Sequence, residues 1–111
     1  MNVDAFSEWM GSLPAPGRIR ALALIYSSLT VSSRELFLPG KTAGKEHRVL
    51  DMLHGINEIH HTLANQLSAW IHGEEGYSVR ALGLQLLEIA DQYRLDGFLT
   101  TAVEFARTRN L

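Results

Sequence analysis

Histidines and carboxylates at helical spacing are the residues in this chain with chemistry to offer. In EHRVLDMLHGINEIHHTLANQLSAWIH, residues 46–72, the residues Asp51, His54, Glu58 and His61 recur at intervals of three and four, so on a helix they form one polar line. Glu58 and His61 have the Glu-x-x-His spacing by which one helix of a di-iron bundle presents two ligands to a metal. That chemistry needs a second copy of the motif and two further glutamates, all turned inward, and the chain has one copy on a line facing away from its apolar side. Glu58 and His61 are thus candidate metal ligands whose expected state is a solvated or interfacial face, steadied by local Glu58/His54 and Glu58/His61 pairs. No metal or other cofactor is expected. His60 differs, because about 100° per residue sets it inside the apolar face between Ile56 and Leu67. An imidazole there needs a hydrogen-bond partner.

Arg48 stands six positions before His54 in the same segment. An arginine and a histidine so spaced in a helical chain of this length resemble the Arg-x(4–6)-His motif of the HEPN ribonuclease family. The resemblance covers these two residues, and Val49 stands where the family commonly has a polar residue. It implies His54 as general base on a ribose 2′-hydroxyl, Arg48 as the cation facing the phosphorane, and a dimer in which two motifs meet. A third motif, Gly40-Lys41-Thr42, invites comparison with a phosphate-binding loop. That loop needs G-x-x-x-x-G-K-[ST] after a strand, and here the earlier glycine is missing and no strand precedes.

These residues need helices to position them. The segment 46–72 is the longest helical pattern, with Val49, Met52, Leu53, Ile56, Ile59, Leu63, Leu67, Trp70 and Ile71 on one core-facing side. Gly55 interrupts it, which predicts a close helix contact or a kink. Upstream, VDAFSEWM spaces Val3, Phe6, Trp9 and Met10 as a short helix, with Asp4 placed to face the free amides of its first turn. A second helix starts after Pro16 and runs to about Phe37, burying Ile19, Leu22, Ile25, Tyr26, Leu29 and Leu36 with Ser33 as a polar intruder. Leu24 and Val31 form a minor apolar line, so this helix either lies centrally or meets a second subunit or partner there. The Ser27–Ser33 hydroxyl cluster predicts a bend or an early end. Residues 38–45 read as a loop. Ser78 is the expected N-cap of a fourth helix reaching Tyr93, with Val79, Leu82, Leu86, Ile89, Ala90 and Tyr93 inward. Asp96 is expected to cap a fifth, which buries Phe98, Leu99, Ala102, Val103, Phe105 and Ala106.

The expected fold is a single all-α domain over residues 1–111: a compact antiparallel bundle of four main helices plus a short N-terminal one. At 111 residues and 46% apolar composition, such a chain can bury about two-thirds of its unfolded surface. The absence of cysteine excludes disulfides, thiol catalysis and thiolate metal sites. No segment has the basic start and apolar run of a secretory leader, and none approaches the ~20 apolar residues of a membrane span, so a cytoplasmic location is expected. A formal charge of −2 with scattered Lys and Arg disfavours nucleic acid as a partner. No nucleophile, base and anion site assemble in sequence, whereas apolar helix surface is in surplus. The favoured function is therefore a non-catalytic interaction or regulatory protein acting as a homodimer or with a protein partner, with Leu24, Val31, Asp51, His54, Glu58 and His61 as candidate interaction residues. The alternatives are a HEPN-like ribonuclease or small hydrolase using Arg48 and His54, and a metal- or ligand-binding bundle.

Overall fold

The computed structural model of the chain describes residues 1–38, 40 and 44–109. Among these residues it contains five helices and no strand: α1 (Val3–Ser12), α2 (Ala15–Glu35), α3 (Glu46–Ile71), α4 (Val79–Gln92) and α5 (Asp96–Arg109). The bundle measures 44 × 25 × 24 Å, and α3, at about 1.5 Å per residue, runs nearly its full length. Helix α2 packs against both α3 and α5, α4 against α3 and more lightly against α5, and α1 lies on α4. Four helices thus close a ring around one core of Leu22, Ile25, Leu29, Ile56, Ile59, Leu63, Leu82, Leu86, Leu95 and Leu99, while α1 adds Phe6 and Met10. Burying such side chains contributes about 1.5–3 kcal/mol each, which is why no metal or disulfide is required.

Local chemistry fixes the helix ends, and several differ from their sequence expectation. Asn2 rather than Asp4 caps α1, its Oδ1 accepting from the amides of Asp4 at 2.7 Å and Ala5 at 3.4 Å. Asp4 is instead ion-paired with Arg80 and ties α1 to α4. Helix α2 begins two residues early, at Ala15 with Pro14 in the cap position, and ends at Glu35 rather than Phe37. Thr30 Oγ1 and Ser33 Oγ bond back to the carbonyls of Tyr26 and Thr30, the competition that weakens a helix from within. Ser78 caps α4 as expected, accepting from the Ala81 amide at 3.1 Å. Asp96 is the first residue of α5. Of the phosphate-loop comparison, Lys41 and Thr42 lie outside the described residues.

Two side chains assigned to the core are outside it. Ile71 is 66% exposed and Tyr26 38%. Both lie at the α2–α3 seam, where they line a groove with the small side chains of Ala23 and Ala64. Gln66, unassigned in the sequence pattern, is buried on the core side of α3 instead. Gly55 answers to a close contact: a Cβ there would sit 2.6 Å from Tyr93 Cβ and from Leu95 Cδ1.

Candidate functional site

Concave surfaces border α3 on more than one side, and two of them carry the candidate residues. The first is a cleft of about 570 Å³ between the N-terminal half of α3 and the end of α4, lined by Arg48, Asp51, Met52, Gln92, Tyr93 and Arg94. Gly55 lets the α4 terminus approach, and Tyr93 then reaches across to donate its hydroxyl to Glu58 Oε1 at 2.9 Å. That hydrogen bond, with desolvation and the nearby charges of Glu58 and Asp51, pushes the Tyr93 phenol above its ordinary 10.0, so it stays protonated at neutral pH. A protonated phenol bonded to a carboxylate offers neither nucleophile nor base. Arg94 beside it has φ 56°, and the Leu95 amide bonds the Ala90 carbonyl at 2.7 Å, the closure in which glycine usually takes the left-handed position. Because a side chain there costs about 1–2 kcal/mol, part of it returned as unfolded-state entropy, Arg94→Gly is expected to stabilise the fold by about 1 kcal/mol. A chemical denaturation midpoint shifted upward at constant slope is the result to look for.

The residues of the sequence-predicted polar line share one exposed face of α3 but meet different surroundings. Arg48 and Asp51 line the cleft, whereas His54 and His61 are exposed and make no hydrogen bond or ion pair among the described residues. Glu58 is engaged by Tyr93 rather than by either histidine. Arg48 borders the cleft and His54 does not, the two standing some 120° apart around α3 on the ~100° step of a helix. Among the described residues no three His, Asp or Glu side chains come together as a metal would need.

The second concavity is a groove of about 470 Å³ along the α2–α3 seam, lined by Ala23, Tyr26, Ala64, Leu67, Ser68, Ile71 and His72. His60 lies beneath its edge. Its ring stacks on Tyr26 with centroids 4.1 Å apart and 29° between planes. Its Nε2 is 3.3 Å from the Tyr26 carbonyl, to which it can donate, and 3.4 Å from Thr30 Oγ1. The expected partner for this core-edge imidazole is thus present. Desolvation lowers its pKa from the ordinary 6.5, against the Tyr26 hydrogen bond and with the charge of His61. Of the expected interaction residues on α2, Val31 is 54% exposed, while Leu24 is half-buried against the core. Tyr26 and Ile71, the residues that build the groove, were hidden in the sequence by their own hydrophobicity, since each continues a core stripe.

The chain matches no protein-family model, and no curated protein or solved structure is significantly similar to it.

Proposed function

We propose that this chain is a non-catalytic interaction protein that associates with a second copy of itself through the α2–α3 groove. The observation that carries this reading is the lining of the groove: small residues alternate with projecting apolar ones, and no Asp, Glu, Lys or Arg is among them. A face that meets its own copy across a twofold axis sets like against like, so an uncharged face is the kind that can do so without repulsion. Knobs and hollows must likewise occur on the same patch, and Ile71 and Tyr26 beside Ala23 and Ala64 supply both.

Sedimentation equilibrium tests the proposal, a particle of twice the 12.4 kDa chain mass being expected. Ile71→Glu places a carboxylate in the apolar lining twice over, and should weaken association at least about tenfold while leaving the fold intact. Leu84→Glu, at an exposed position on α4 away from the groove, should leave the mass unchanged. A chain that stays at 12.4 kDa at every concentration, or an Ile71→Glu variant that associates like wild type, would overturn the reading.

A further inference from the structure

We propose that His60 and His72 make self-association through this groove pH-gated, the face closing on its copy when both imidazoles are neutral and parting when they are protonated. This rests on the self-association reading above. Among the described residues, and apart from the Tyr26 phenol, His72 on the groove lining and His60 stacked beneath Tyr26 are the ionisable side chains at this groove. His72 lines one end, its Nδ1 placed 2.7 Å from the Ser68 carbonyl, to which only an N–H can donate. Its Nε2 is therefore left to take up a proton. Towards the other end, His60 directs Nε2 at the Tyr26 carbonyl, which leaves Nδ1 as its proton acceptor.

Little around these rings would offset the added charge. Helix α2 presents Tyr26 and Thr30 to His60 and no charged group, and on α3 its neighbour is His61, whose charge opposes protonation. Glu74 and Glu75 follow His72 in the chain, but no described carboxylate is within ion-pairing distance of either imidazole. In a twofold dimer every such charge appears twice, so protonation turns an uncharged face into one that repels its copy. Burial already holds His60 below 6.5 in the single chain, and a second copy over Tyr26 deepens that burial. The sign follows from linkage. A base whose pKa is lowered by association favours the associated state fully above its free value, and the advantage is lost as pH falls through that free value, which for His60 lies below the ordinary 6.5.

The test is sedimentation equilibrium of wild type, His60→Gln, His72→Gln and the double variant between pH 7.5 and 5.5, with far-UV circular dichroism at each pH. Each pKa unit of displacement is tenfold in affinity per site, so the wild-type dissociation constant should rise at least about tenfold over this range while the helical signal persists. The double variant should remain associated throughout. Glutamine keeps a donor for the Tyr26 carbonyl, and a second measurement needs no variant at all: the NMR pKa of His60 should be lower above the wild-type dissociation constant than below it. Equal pKa values, a pH-independent wild-type constant, a double variant with the wild-type slope, or loss of helix on dissociation would each overturn the gate. A pH-independent dimer sinks the gate alone, whereas a monomer at every pH sinks the self-association reading with it.

Discussion

Replacing Gly55 by alanine is expected to destabilise the fold by about 2–3 kcal/mol, although alanine is the better helix former by about 1 kcal/mol. The added methyl would sit 2.6 Å from Tyr93 Cβ and Cγ and 2.6 Å from Leu95 Cδ1. The Leu95 methyl can turn aside, but Tyr93 Cβ is fixed to the backbone at the cap of α4, so the helix terminus itself must shift. Moving it withdraws the Tyr93 hydroxyl from Glu58 and loosens Leu95, a fully buried core residue. For a domain of this size the midpoint of thermal unfolding should fall by roughly 10–20 °C. An unchanged or raised midpoint would mean that α4 does not approach α3 at this point. The comparison variant is Gly83→Ala, whose methyl would meet the Phe6 ring edge at 2.8 Å and Val3 Cγ2 at 3.2 Å. Because α1 is a ten-residue helix docked on one side of the bundle, it can ride outward, and the loss there should be smaller.

Gly55 also marks how far the sequence could be read. Periodicity located all five helices and most of the core, because an apolar stripe reports the direction in which a helix faces its neighbours. It does not report how wide a sector those neighbours cover. Tyr26 and Ile71 continue the stripes of α2 and α3 and yet stand at an open seam, where they line a groove with the small side chains of Ala23 and Ala64. The same limit works in reverse at Gln66, a polar residue on the covered side. The polar line from Asp51 to His61 looked continuous because spacing carries no information on reach. Once Tyr93 arrives from α4, Glu58 bonds to it, Arg48 and Asp51 border a cleft, and the two histidines stay in solvent. The left-handed Arg94 left no mark in the sequence, because glycine or asparagine is what usually signals that conformation.

Gln66→Leu is expected to cost about 2–3 kcal/mol while preserving the side-chain volume. Gln66 is 1% exposed, and both ends of its amide are engaged: Oε1 accepts from the Tyr77 amide at 2.8 Å and Nε2 donates to the Glu75 carbonyl at 3.0 Å. Trp70 Nε1 also donates to that carbonyl at 3.0 Å, so leucine leaves the Glu75 oxygen one partner but strands the Tyr77 N–H. The loop is shaped around this clasp. Gly76 has φ 64°, and a Cβ on it would come 2.8 Å from Gln66 Oε1, so the backbone can lie against the amide only with glycine there. Hydrogen exchange offers the specific readout: the Tyr77 amide should lose protection in the variant before the core amides of α4 do, and retained protection would refute the clasp. The consequence reaches the groove, because the same loop closes the end of α3 through the Gly73 amide to Trp70 and the Glu74 amide to Ala69. Ile71 and His72 belong to that last turn. A loosened clasp lets the turn fray, so Gln66→Leu should also weaken self-association without altering any residue on the face, which separates a face held in place by α3 from one that is merely apolar.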